Sequence, residues 1–229
     1  MTIIAFDVNE TLLDLRALDP LFADVFGDPA LRPQWFAQML QLSFVGGLTG
    51  EYVDFTAAQH AALRMLAART STPLSDGQAA TIVDGMSALP PHPEVPAALA
   101  RLRAQEVTMV ALTNSVQIVA EAQLAYAGLR GLFDAVISAD SVRRLKPAPE
   151  PYRAVAERFG AGLSSVRLVA AHAWDISGAL AAGCRAALVR RPGVVASPLG
   201  KQPDIVGPSL TEVVDQIIAL SPAASSSCR

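Results

Sequence analysis

The amino-acid sequence predicts an α/β protein with a parallel sheet and an all-helical segment inserted near its start. Short apolar segments rich in β-branched residues recur along the chain, which is typical of strands covered on both faces. Helical patterns separate the later apolar segments, and this alternation indicates crossover helices between parallel strands. Residues 15–89 break the alternation, because they contain only helical patterns.

Taken in order, the predicted elements fit one layered domain with an insertion. Strands are predicted at residues 2–8, 107–113, 135–138, 166–172 and 186–189, and helices at 116–127 and 149–159. We expect residues 1–14 and 93–220 to form the α/β core and residues 15–92 to form a helical cap insertion. The prolines near residue 90 are stiff and suit the return to the core. Residues 221–229 are small and polar, and we expect a flexible tail there.

Composition and charge favour a globular protein that acts on a small molecule. The chain has 229 residues, of which 52% are hydrophobic, so it can bury a full core. Its formal charge of -3 and its lack of long basic runs argue against nucleic-acid binding. No predicted segment is apolar enough to span a membrane. The apolar stripes of the insertion are compatible with a homodimer or with packing inside one chain.

The cysteine content and the first residues indicate a cytoplasmic protein. Cys184 and Cys228 are poorly placed for a structural disulfide, which fits a reducing compartment. The first ten residues have no basic segment followed by an apolar one, so we expect no secretory signal.

Polar residues end several of the predicted strands. Asp7 ends the first strand, Thr113 and Asn114 the second, and His172 the fourth, while Lys146 lies in a later loop. Ligands of open α/β sheets collect at the carboxyl ends of the strands, so these side chains are expected to meet. Lys146 would hold Asp7 ionised and nucleophilic. The alternative for Asp7 is a structural ion pair or a helix cap.

Four motifs resemble those of the haloacid dehalogenase (HAD) superfamily. They are FDVNETLLD from residue 6, LTNS from residue 112, LKPAPEPY from residue 145 and VAAHAWDISGA from residue 169. The resemblance covers nearly the whole chain. It implies a Rossmann-like parallel-sheet core with an inserted helical cap, and an aspartate nucleophile.

Two positions favour carbon–halogen hydrolysis over phosphate transfer. Phosphatases of the superfamily place a second Asp two residues after the nucleophile, where this chain has Asn9, and an amide cannot shuttle a proton at neutral pH. Their fourth motif has more than one acidic residue, whereas Asp175 stands alone here beside Trp174. Mg²⁺ prefers carboxylates and water, so we expect no required metal and no cofactor. The sequence resembles the type II branch, the (S)-2-haloacid (L-2-haloacid) dehalogenases.

The resemblance implies a role for each matching residue. Asp7 would displace halide from the substrate, and water would then hydrolyse the aspartyl ester. Thr11, Thr113 and Asn114 would hydrogen-bond the nucleophile or the substrate, and Lys146 would orient Asp7. Asp175 would position Lys146 or the hydrolytic water. Residues expected to bind the substrate or line its pocket are Val8, Asn9, Phe36, Leu40, Phe55, Tyr152 and Trp174.

The chain departs from the type II pattern at two informative positions. Phe36 follows Trp35 where that branch has an Arg that binds the halide or the substrate carboxylate. His172 replaces an Asn, and it is either a general base for the hydrolytic water or a residue that merely lines the pocket. Two other functions stay open: a HAD-type phosphatase or other small-molecule hydrolase, and an inactive homologue that binds a small acid.

Overall fold

A computed structural model of the protein describes residues 2–105 and 107–220. Within these residues the strands form one parallel sheet in the order β3-β2-β1-β4-β5-β6. The strands are β1 (Ile3–Phe6), β2 (Thr108–Thr113), β3 (Ala135–Ser138), β4 (Val166–Ala170), β5 (Arg185–Val189) and β6 (Ile205–Gly207). The predicted α/β class with a parallel sheet is therefore confirmed.

Helices cover the sheet and fill the insertion. They are α1 (Asp19–Phe26), α2 (Leu31–Thr49), α3 (Phe55–Thr70), α4 (Asp76–Gly85), α5 (Val95–Arg103), α6 (Gln117–Tyr126), α7 (Pro149–Arg158), α8 (Ala173–Ala182) and α9 (Leu210–Leu220). Helices α6 and α7 lie where the sequence predicts them. Strand β6 was not predicted from the sequence, because it has three residues, lies at the sheet edge and leaves Val206 partly exposed.

Strand β1 lies in the middle of the sheet, and its residues alternate between two buried faces. Ile4 and Phe6 pack in one hydrophobic cluster, and Ile3 and Ala5 pack in the other. The chain order reverses at β1, which has β2 on one side and β4 on the other. Such a reversal opens a crevice at the carboxyl ends of the strands. The polar residues that follow β1, β2 and β4 therefore share that crevice.

Residues 15–92 contain helices α1–α4 and no strand. Side chains cap two of these helices, since Asp54 accepts from the Ala57 amide and Ser75 forms a capping box with Gln78. Helix α2 buries Trp35, Met39 and other side chains at spacings of three and four residues. Trp35 and Met39 belong to the same hydrophobic cluster as Phe6, so the insertion and the α/β core share one apolar interior.

Several expectations stay predictions. The boundaries between core and insertion, the cytoplasmic location and the homodimer are among them. The predicted tail and Cys228 lie outside the described residues. Among residues 2–105 and 107–220, no helix is long and apolar enough to cross a membrane.

Candidate active site

Asp7 follows β1 directly, and its carboxylate is nearly inaccessible to solvent. Its backbone amide donates to the Val169 carbonyl at 3.0 Å, which continues the pairing of β1 with β4 by one residue. Lys146 Nζ donates to Asp7 Oδ1 at 2.8 Å, and Thr11 Oγ1 donates to Oδ2 at 2.6 Å. Thr11 Oγ1 in turn accepts from the Ala171 amide at 2.8 Å, so its hydroxyl direction is fixed. The nucleophile predicted from the sequence is thus held rigidly.

Lys146 is completely buried, and its ammonium group has three acceptors. These are Asp7 Oδ1 at 2.8 Å, Asp175 Oδ2 at 2.6 Å and the Leu112 carbonyl at 2.9 Å. Burial alone would lower the pKa of Lys146, but the charges of Asp175 and Asp7 outweigh burial and raise it. Lys146 is therefore a permanent cation that bridges two carboxylates.

Asp7 is ionised at neutral pH. Burial alone would raise the pKa of its carboxyl group. The Lys146 charge, with hydrogen bonds and charge from His172, lowers that pKa well below the ordinary range. A buried carboxylate that keeps its charge has little water around it and can attack an electrophilic carbon.

Asn114 positions Lys146 through the backbone. Its side-chain Oδ1 accepts from the Lys146 amide at 2.8 Å, and its Nδ2 donates to the Lys146 carbonyl at 3.2 Å. Thr113 is fully buried, and its Oγ1 accepts from the Ser115 amide at 3.1 Å. Both side chains were predicted to bond the nucleophile or the substrate. Here they hydrogen-bond backbone groups of the surrounding loops, and a contact with the substrate stays a prediction.

Asp175 lies in the first turn of α8 and is fully buried. One of its oxygens accepts from Lys146 and the other from the Tyr152 hydroxyl. Gly178 allows α8 to lie close to this group, since a Cβ there would be 2.5 Å from Pro147 Cβ and 2.7 Å from the Tyr152 hydroxyl oxygen. Asp175 therefore positions Lys146, which is one of the two roles predicted for Asp175 from the sequence.

His172 lies between two carboxylates. Its Nδ1 is 3.0 Å from Asp7 Oδ2, and its Nε2 is 2.9 Å from Glu10 Oε2. Burial would lower the pKa of the imidazole, but the hydrogen bonds and charges of Asp7 and Glu10 raise it to about 10. The ring is therefore an imidazolium at neutral pH, and in this state it has no lone pair with which to act as a base.

A small cavity lies above the Asp7 carboxylate. Its lining consists of Asp7, Asn9, Phe36, Leu40, Phe55, Asn114, Lys146, His172 and Trp174. Most of the predicted substrate-binding residues are therefore together. Val8 and Tyr152 are exceptions, because Val8 is buried in the hydrophobic core and Tyr152 lies behind Asp175. In this conformation the cavity has room for about one water molecule.

Asn9 and Asp175 do not suit a magnesium ion. Asn9 Nδ2 donates to Ser115 Oγ at 3.2 Å, and Asn9 Oδ1 accepts from Gln123 at 2.9 Å, so its amide already has partners. Both oxygens of Asp175 are bonded to Lys146 and Tyr152. Within residues 2–105 and 107–220, no group of three or more His, Cys, Asp or Glu side chains is arranged to hold a metal.

Sequence reasoning missed Glu10 as a residue of this site. Glu10 belongs to the loop that ends β1, and this position was its only signal in the sequence. Its backbone has a left-handed φ of 59°, which few non-glycine residues adopt, and its carboxylate lies 2.9 Å from His172 Nε2. The sequence pattern gives no sign of that conformation.

Comparisons with known proteins identify the family. A model of haloacid dehalogenase-like hydrolases matches residues 1–183, and the chain belongs to this family. Haloacetate dehalogenase H-2 of Moraxella sp. (strain B) is 29% identical over 216 residues, which are 93% of this chain and 96% of that protein. The (S)-2-haloacid dehalogenase of Pseudomonas sp. (strain YL) is 29% identical over 214 residues, or 93% and 92% of the two chains.

A solved structure agrees with these relatives. The L-2-haloacid dehalogenase from Xanthobacter autotrophicus superposes with a TM-score of 0.89 at 25% identity, over 96% of this chain and 100% of that chain. The resemblance to the type II branch that the sequence motifs indicate is confirmed.

Proposed function

We propose that this protein is a metal-independent hydrolase that removes halide from a short 2-haloacid through a covalent ester of Asp7. One observation carries the proposal. Asp7 is an ionised, buried carboxylate between Lys146 and Thr11 at the bottom of a mainly apolar cavity, and an amide, Asn9, stands where a proton donor would be. The similarity to haloacid dehalogenases along nearly the whole chain supports the same reaction.

The first step needs a nucleophile and no acid. One Asp7 oxygen attacks the α-carbon that bears the halogen, a carbon–oxygen bond forms, and halide leaves with the electron pair of the broken bond. Halide departs without a proton, so the Asn9 amide is no obstacle. Phe36, Leu40, Phe55 and Trp174 supply an apolar wall, which keeps water away from the attacking oxygen.

The second step returns the enzyme to its starting state. Water attacks the carbonyl carbon of the Asp7 ester, and the bond from that carbon to the alkyl oxygen breaks to release a 2-hydroxy acid. Lys146 and Thr11 already donate to the Asp7 oxygens, so they can stabilise negative charge that develops there. One Asp7 oxygen leaves in the product and is replaced by the oxygen of water.

Phe36 changes the wall of the cavity. It fills the position where the type II resemblance predicts an Arg. Phe36 is nearly buried and stacks on His172 with ring centres 5.7 Å apart. A guanidinium is therefore missing from this wall. Because a haloacetate dehalogenase and an (S)-2-haloacid dehalogenase match nearly the whole chain, we propose haloacetates and 2-halopropionates as the substrate class.

The proposal is tested by measuring halide release from bromoacetate and (S)-2-chloropropionate in buffer with a metal chelator. Phosphate release from an aryl phosphate with Mg²⁺ is measured beside it. We expect halide release by the native protein and none by Asp7→Asn. In a single turnover in ¹⁸O-water with enzyme in excess, the hydroxyl oxygen of the product should come from Asp7 and carry no label. Phosphate release that requires metal, without halide release, would contradict the proposal.

A further inference from the structure

Glu10 is held in place on several sides. His92, which is buried, donates from Nε2 to the Glu10 backbone carbonyl at 3.0 Å. Arg32 Nη1 lies 3.5 Å from Glu10 Oε1, and Arg32 Nε donates to Asp19 at 2.6 Å. These contacts stabilise the left-handed backbone of Glu10 and direct its carboxylate at His172. A strained, well-supported conformation next to a reactive group indicates a functional demand.

The imidazole of His172 is fixed as firmly as the carboxylate. It stacks with both Phe36 and Trp174, with ring centres 5.7 and 5.2 Å away and ring planes inclined by 20° and 27°. Its Nε2 faces Glu10 and its Nδ1 faces Asp7, at 2.9 and 3.0 Å. When Asp7 carries the ester, Nδ1 is therefore the ring nitrogen beside the ester carbonyl.

We propose that Glu10 is a positioning residue for ester hydrolysis, and that it orients His172 so that Nδ1 takes a proton from the water attacking the Asp7 ester. This inference rests on the proposed function, because it concerns the second step of that reaction. Glu10 keeps the Nε2 proton in place by accepting it in a hydrogen bond, and the lone pair of neutral His172 then lies on Nδ1. An orienting carboxylate behind a histidine is a general way to build such a base.

The formation of the ester is what converts His172 into a base. In the free enzyme Asp7 and Glu10 raise the pKa of His172 to about 10, and the ring is protonated. Esterification removes the Asp7 charge, whereas burial continues to favour the neutral ring, so the pKa of His172 falls. The groups that face the ring are Asp7, Glu10 and the two aromatic side chains. Lys146 lies behind Asp7 and Arg32 lies behind Glu10.

The catalytic cycle releases one proton. Alkylation of Asp7 releases halide, and His172 then loses its Nδ1 proton to solvent. In the second step His172 takes one proton of the attacking water, and the second hydrogen of that water ends on the alkoxide that leaves. Asp7 is again a carboxylate and His172 again an imidazolium. The single proton of the overall reaction therefore appears with halide, before the ester is hydrolysed.

Rapid-quench kinetics with bromoacetate tests the role of Glu10. We expect Glu10→Gln to release halide in the first turnover and to accumulate the ester, seen as a mass increase of the intact protein, with ester decay slowed about 100-fold. His172→Gln should accumulate the same ester. Asp76→Asn is the control, because it removes an exposed carboxylate that pairs with Arg64 on the surface of the insertion, and its ester decay should equal that of the native protein. If Glu10→Gln does not fold, Glu10→Asp withdraws the carboxylate from Nε2 and serves the same comparison.

Proton release at pH 8, followed with an indicator dye, separates this role from a structural one. The native protein should release one proton with the halide burst, whereas His172→Gln should release it during ester hydrolysis. Proton release by the native protein only during ester hydrolysis, or decay of the Glu10→Gln ester at the native rate, overturns the inference and leaves the proposed function standing. No halide from the native protein overturns both.

Discussion

Raising the pH from 7 to 9 is expected to destabilise the native protein through His172. Burial opposes its charge, but Asp7 and Glu10 raise its pKa from 6.5 to about 10. The native state therefore holds a proton that the unfolded chain loses above pH 6.5. The stabilisation is complete below pH 6.5, declines as pH rises, and is gone above about pH 10. At about 1.4 kcal/mol per pH unit, two units correspond to roughly 3 kcal/mol.

Urea unfolding at pH 7, 8 and 9 measures this loss, with His172→Gln as the reference protein. Glutamine does not titrate. Between pH 7 and pH 9 the free energy of unfolding should therefore fall by roughly 3 kcal/mol more in the native protein than in the variant. Burial also raises the pKa of the Cys184 thiol, to about 12, which affects both proteins equally and cancels in the comparison. Parallel pH dependences for the two proteins would show that the imidazole is not charged in the native state.

Two further substitutions test the packing and the ion pairs of the site. Gly178→Ala should lower stability by about 1–3 kcal/mol and reduce halide release, because its Cβ would overlap Pro147. Gly77→Ala, on an open part of α4, should leave both quantities nearly unchanged in the same urea and halide assays. Lys146→Met should abolish the halide burst and destabilise the protein by about 3–5 kcal/mol, since it leaves the buried carboxylates of Asp7 and Asp175 without a cation. A Lys146→Met protein with native stability would contradict this account of the ion pairs.

The meeting of Asp7, Lys146 and Asp175 could be predicted from the sequence. Parallel strands bring their carboxyl ends to one edge, so polar residues at those ends converge whatever the details of the loops. The apolar wall could be predicted in part, since Trp174 matches the fourth motif of a known family and Phe36 occupies the place of that family's Arg. These features depend on patterns that repeat along the chain or across a family.

Other features depend on backbone and side-chain geometry that no pattern encodes. Glu10 has a left-handed backbone and bonds His172, and the ring is charged because two carboxylates lie within 3.0 Å of it. The sequence is compatible with His172 as a base, but it gives no sign that the free enzyme holds the ring protonated. Tyr152 was expected at the substrate, but a helix turns it towards Asp175.

The stacked rings of Phe36 and His172 join the two parts of the molecule that enclose the cavity. Phe36 belongs to α2 of the insertion, and His172 immediately precedes α8 of the sheet layer. A space that fits about one water molecule is too small for a two-carbon acid, so the insertion and the sheet layer must move relative to each other for such an acid to bind. Each catalytic cycle must therefore include an opening motion, and the frequency of that motion is an upper limit on turnover, however fast the chemistry at the carboxylate is.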